Sequence, residues 1–121
     1  MIITNGITFG NGITFNIEFP SNTGSTYGMF AFGFNSTPAP VNTINRISDT
    51  GTVSGNESGV GTVRYLLAGA MYGSAKGIFG FGQGAGYFSI TNLVSDTGTV
   101  ASDTTGVGTA RSGLAGASYG P

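Results

Sequence analysis

The segment from Ile47 to Tyr72, ISDTGTVSGNESGVGTVRYLLAGAMY, returns without gaps as Val94 to Tyr119, VSDTGTVASDTTGVGTARSGLAGASY, with 16 of 26 positions identical. Upstream, GMFAFG from Gly28 is matched by GIFGFG from Gly77. The stretches in between, NSTPAPVNTI and QGAGYFSI, differ in length by two residues, the kind of insertion a surface loop absorbs. The duplicated part therefore divides into a first repeat at 28–76 and a second at 77–121, preceded by residues 1–20 and a linker at 21–27. Self-similarity at such a period marks an array of supersecondary units, none of which buries its apolar face alone.

Each repeat reads as a series of short strands. MFAFGF and IFGFG are compact apolar runs interleaved with glycine, as in a strand that neighbours approach closely. TINRIS and ITNLVS alternate apolar and polar residues and run into Asp-Thr-Gly, a turn signal. TVSGN and TVASD predict a brief third strand. TVRYLLAGAMY and TARSGLAGASY fit helix or strand by periodicity, and their glycines and all-β surroundings favour strand. The expectation is an all-β chain with two four-stranded units. Ahead of them, NGITFGNGITFNIEF carries Ile7, Phe9, Ile13, Phe15, Ile17 and Phe19 in alternation with polar residues. That pattern predicts a β arm, with Gly10-Asn11-Gly12 as a hairpin turn or a bulge. The arm either covers the first repeat's edge or serves assembly.

Composition narrows the chemistry. The 121 residues include 23 glycines but no cysteine, histidine or tryptophan, and only four basic and five acidic side chains. Thiolate nucleophiles, imidazole bases and Cys/His zinc sites are thereby excluded. A net charge of −1 leaves no basic footprint for nucleic acid or an anionic membrane surface. No apolar run approaches the roughly 20 residues of a membrane-spanning helix, and the first residues lack the pattern of a secretory signal. No cofactor and no metal site is expected. Glu57 and Asp103, in different repeats, are too few carboxylates for a Ca²⁺ cage.

The order of an apolar strand closing on glycine (GIFGFG), a variable loop, an aliphatic strand into Asp-Thr-Gly and an Arg-Ser segment with a small-residue strand (TARSGLAGASYG) resembles the Kelch-type β-propeller repeat. The paired glycines and the tryptophan of that family are not present. The near-identical Gly/Thr-rich units are also similar to repeats in structural proteins of tailed phages and environmental viruses. The resemblance implies two propeller-like blades per chain. Propellers have typically about four to eight blades, so it further implies completion by oligomerisation, with a homotrimer closing a six-bladed ring.

SDTGTV, at Ser48 and again at Ser95, contains the Asp-Thr-Gly signature of aspartic proteases. Those enzymes draw their loops from lobes or subunits much longer than one of these repeats, and their aspartate follows apolar residues, where Ser48 and Ser95 stand here. The whole repeat recurs, which a catalytic pair does not require. Four of the nine charged residues fall at equivalent places, Asp49 with Asp96 and Arg64 with Arg111. This predicts a repeated Asp–Arg pair, or carboxylate caps on the turn amides.

The functional expectation is a non-enzymatic structural protein located in a virion or outside the cell, most simply a phage tail, fibre or capsid-decoration subunit whose partners are other copies of itself and other virion proteins. A lectin-like module is the first alternative, with Tyr65, Gln83, Tyr87 and Phe88 offered to cell-surface glycans. The second is a subunit of an extracellular filament.

Overall fold

A computed structural model describes residues 3–8, 10–19 and 27–121, with the strands at 3–8 and 14–19 described through their backbone pairing. Residues 1–2, Phe9, Pro20 and most of the linker, 21–26, lie outside the described residues. The fold is all-β, with no helix among the described residues. Among the described residues seven strands, β1 (Ile3–Thr8), β2 (Thr14–Phe19), β3 (Gly28–Asn35), β4 (Ala39–Ile47), β5 (Ala68–Tyr72), β6 (Lys76–Gly80) and β7 (Thr91–Val94), form three small antiparallel sheets ordered β1-β2, β3-β4 and β5-β6-β7. None of these sheets closes into a barrel.

The arm is a hairpin and not a bulged single strand. Thr8 pairs with Thr14, and the register sets Ile7 opposite Phe15, Ile17 opposite Asn5 and Phe19 opposite Ile3. The turn is held by the Ile13 N–H, which donates to Asn11 Oδ1 at 3.2 Å. In the first repeat, Asn35 Oδ1 accepts the N–H groups of Thr37 and Ala39, each at 3.1 Å. This Asx-type closure turns the inserted NSTPA into the tip of a longer β3–β4 hairpin. In the second repeat, β6 and β7 pair only from Gly77 with Val94 to Gly80 with Thr91, and residues 81–90 leave the sheet.

The duplicated SDTGT segments fold identically. Ser48 N–H donates to Thr52 O at 2.9 Å and Gly51 N–H to Ser48 O at 3.0 Å, and Ser95 N–H to Thr99 O and Gly98 N–H to Ser95 O are both 3.0 Å. Gly51 at φ 81° and Gly98 at φ 79° supply the left-handed position of a three-residue hairpin loop, which glycine takes without a Cβ penalty. Val53 and Val100 then make single bridges to Ile47 and Val94, so the expected third strands are isolated bridges. The expected fourth strand forms in the first repeat as β5. Its counterpart around 115–119 is not a strand, because β5 exists by pairing with β6 of the next repeat. The 115–119 stretch lies beside β5 instead, with Ser118 Oγ accepting from Met71 N–H at 3.1 Å and donating to Met71 O at 2.8 Å.

The core lies between the repeats. Its buried apolar residues are Ile44 of the first and Val94 and Val100 of the second, with Met29, Ala31, Val60 and Phe79 packed around them. Strand alternation explains the division. Met29, Ala31 and Ile44 point out of the back of the first repeat, while Phe79, Val94 and Val100 point out of the front of the second.

Candidate functional site

The most highly organised group of side chains lies across this seam and centres on Arg64. Its carbonyl is fixed within its own repeat by Gly33 N–H at 3.1 Å. Its guanidinium lies 4.3 Å from the centroid of Phe32, a cation–π geometry. Phe32 holds φ 65° at the bulge between Ala31 and Gly33, a left-handed backbone that costs a bulky residue energy. The bulge accompanies the ring that lies beneath the cation. From this platform Arg64 reaches into the second repeat. Nε donates to Phe81 O at 2.8 Å and Nη2 to Asn92 Oδ1 at 2.6 Å, while Nη1 returns to Thr62 O at 3.1 Å.

Asn92 is the receiving residue. Its Nδ2 donates to Ala101 O at 3.1 Å and to Asp103 Oδ1 at 2.9 Å. Asp103 in turn accepts Thr62 N–H at 3.2 Å and Thr62 Oγ1–H at 2.6 Å. The chain of bonds runs from the first repeat to the second and back. Arg64 and Asn92 are both 0 % exposed, and no buried polar side-chain atom among the described residues lacks a partner. A second link, Arg46, pairs with Glu57 at 2.9 Å and donates through Nη1 to Gly98 O at 2.5 Å.

Desolvation draws the Arg64 pKa below its ordinary value, opposed by the nearby Asp103 charge. For Asp103, desolvation pushes upward, but hydrogen bonds from Thr62 and Asn92 and the Arg64 charge hold the carboxyl below its usual value. A carboxyl lowered in the fold contributes stability that is present above its unfolded pKa and lost as pH falls through the folded one. The seam therefore weakens on acidification below about pH 4. Asp103→Asn installs the residue that the first repeat carries at the equivalent Asn56. It is expected to lower stability at neutral pH, because one of the two oxygens that accept from Thr62 becomes a donor and the charge beside Arg64 is lost. It is also expected to flatten the acid limb of a urea-midpoint-against-pH curve; an unchanged limb would count against Asp103 as its source.

The expected Asp–Arg pairs do not form. Asp49 and Asp96 are exposed on their turns, and the ion pair among the described residues is Arg46–Glu57. Nor do the carboxylates cap the turn amides. Ser48 Oγ accepts Thr52 N–H at 3.1 Å and Ser95 Oγ accepts Thr99 N–H at 3.0 Å. The serine hydroxyl already satisfies that amide, which leaves the aspartate facing water, while each arginine turns toward its aromatic platform. Arg111 repeats the local pose of Arg64, 4.1 Å from the centroid of Phe81 with Nη1 donating to Thr109 O at 3.1 Å.

Of the proposed loop residues, Tyr65 and Gln83 are joined by a two-way backbone bridge at 2.8 Å, and Tyr65 packs on Phe34 at 4.8 Å between centroids. Gln83 also bridges Tyr87. Tyr87 is exposed and Phe88 half-buried. Asn45, Asn92 and Arg46 were missed in sequence. The asparagines had a signal, since in both repeats one stands two residues before an aliphatic residue on the same face of the strand, Asn45 before Ile47 and Asn92 before Val94. Arg46 had none, because its counterpart is Leu93.

No family model and no curated protein matches this chain. Beside the seam runs an open groove of about 1010 Å³, lined in part by Met29, Ile47, Ala70, Ile78 and Val94, whose charged walls are Arg46, Lys76 and Asp96. Among the described residues no group of three acids gathers as a metal site. What the Arg64 network does chemically is hold two repeats in one register, with its donors and acceptors already matched to each other.

Proposed function

We propose that this chain is a non-enzymatic structural protein that acts by assembly, as a virion component such as a tail, fibre or capsid-decoration subunit. The observation that carries the reading is the position of the core. Ile44 is buried against Val94 and Val100 of the other repeat, so a repeat becomes stable by being stacked on its neighbour. A chain built this way continues its stacking with further copies. The repeats act as propeller-like blades, three chains close a ring, and the β1–β2 arm docks that ring on other virion proteins. The resemblance to Kelch-type and phage repeats supports this reading. Glycan binding has less support, because Tyr65 and Gln83 are engaged in bridging the repeats.

Light scattering on a sizing column tests it. A single species near three times 12.1 kDa is expected, and a monomer at high concentration overturns it. Mass spectrometry of purified particles tests the virion placement.

A further inference from the structure

Resting on the assembly reading, we infer that the partner is a second copy of this chain docked head to tail, the Arg111 face of one on the Asn45 face of the next, through the same bonds that join the two repeats internally.

The argument starts from three apolar residues that the internal seam covers. Val100 is 6 % exposed and Phe79 and Val60 are half-buried. Their counterparts at the outer ends of the pair are bare, Val53 at 51 %, Phe30 at 62 % and Val107 at 85 %. Val53 and Phe30 lie on the front of the first repeat. Val107 lies on the back of the second. The two bare faces are thus complementary halves of one seam, present on opposite ends of the same molecule.

The polar groups make the same division. On the back, Arg111 is held over Phe81 and by Thr109 O in the pose of Arg64. Its Nε and Nη2, the atoms that in Arg64 cross the seam, have no partner among the described residues. On the front, Asn45 holds the arrangement of Asn92. Its Nδ2 donates to Ser54 O at 3.2 Å and to Asn56 Oδ1 at 3.0 Å, which aims its Oδ1 as Asn92 Oδ1 is aimed at Arg64. The docked copy supplies Arg111 to Asn45 Oδ1 and to Phe32 O, and Thr109 to Asn56, as Arg64 and Thr62 do for Asn92, Phe81 O and Asp103. The ring pair Phe32–Phe79, 5.6 Å between centroids, becomes Phe81 with Phe30 of the next copy. Such a contact is heterologous, closing a ring or extending as a filament according to its rotation.

Complementation between two half-blocked chains tests this. Arg111→Glu spoils the back and leaves the front intact. Val53→Glu spoils the front and leaves the back intact. Both positions are exposed, so neither change enters the core. The wild type is expected to associate, each variant alone to associate about a hundredfold more weakly, and the equimolar mixture to form a capped 1:1 heterodimer by light scattering. A wild type that stays monomeric removes the assembly reading and this proposal together. A wild type that assembles alongside variants that assemble equally well leaves assembly standing and overturns the face. Monomeric variants that fail to complement overturn the head-to-tail geometry.

Discussion

Arg64→Ala is expected to cost about 2–5 kcal/mol of folding stability, the range for truncating a large buried side chain and leaving its hydrogen-bond partners unmatched. The side chain is fully buried and donates to two groups of the second repeat and one of its own. Its loss leaves Asn92 Oδ1 buried and Phe81 O partly buried without this donor, and a buried group so left costs about 1–3 kcal/mol. It also uncovers the face of Phe32. Arg64→Met keeps an apolar stem on that ring and is expected to lose less. Arg64→Lys keeps the charge but has no planar fork, so it cannot reach Phe81 O and Asn92 Oδ1 together, and it is expected to fall near the alanine value. Urea unfolding followed by far-UV circular dichroism gives the comparison. A loss below about 1 kcal/mol, typical of an exposed pair, would show that the seam does not depend on this residue.

The same substitution one repeat later supplies the control. Arg111→Ala removes a cation with the same aromatic platform but no neighbour repeat behind it. Its effect on the isolated chain is expected within about 0.5 kcal/mol, with a larger effect only where copies associate and mass action adds to stability. The Arg64 effect is independent of protein concentration and the Arg111 effect is not. That contrast separates folding from docking with one residue type.

These roles were only partly legible in the sequence. The all-β fold follows from short apolar runs and from the Asp-Thr-Gly turns, whose geometry is local and set by Ser48, Gly51 and their counterparts. The repeat length placed the two arginines and two aspartates at equivalent positions, and pairing opposite charges within a repeat was the direct deduction. It failed because the decisive contact is between repeats. Which strand face meets the neighbour is fixed by Ile44, Val94 and Val100 burying together, and no spacing within one repeat reports that. The strand assignment after Arg111 failed for a related reason. AGAMY and AGASY are nearly the same sequence, yet only the first has a β6 to pair with, so an identical local preference gives a strand in one place and none in the other.

Gly61→Ala is expected to destabilise by about 2–5 kcal/mol, from two costs that the repeat allows to be separated. Gly61 holds φ +87°, and a Cβ there would sit 2.5 Å from both Asn92 Nδ2 and Asp103 Oδ1. The first cost is the left-handed backbone, about 1–2 kcal/mol for a residue with a side chain. The second is the overpacking, about 1–3 kcal/mol, and it falls on the two residues that receive Arg64 and Thr62. Gly108, its counterpart, holds φ +89° with nothing within 4 Å of the added carbon. Gly108→Ala therefore carries the backbone cost alone, and the difference between the two variants measures how tightly one repeat presses on the next. Equal losses would mean that Asn92 and Asp103 move aside freely, which contradicts a rigid seam. Head-to-tail docking adds a further expectation, because it puts Asn45 and Asn56 of the next copy where Asn92 and Asp103 stand against Gly61. Gly108→Ala then costs the monomer the backbone penalty alone, about 1–2 kcal/mol, while also weakening self-association by the overpacking that the isolated chain escapes.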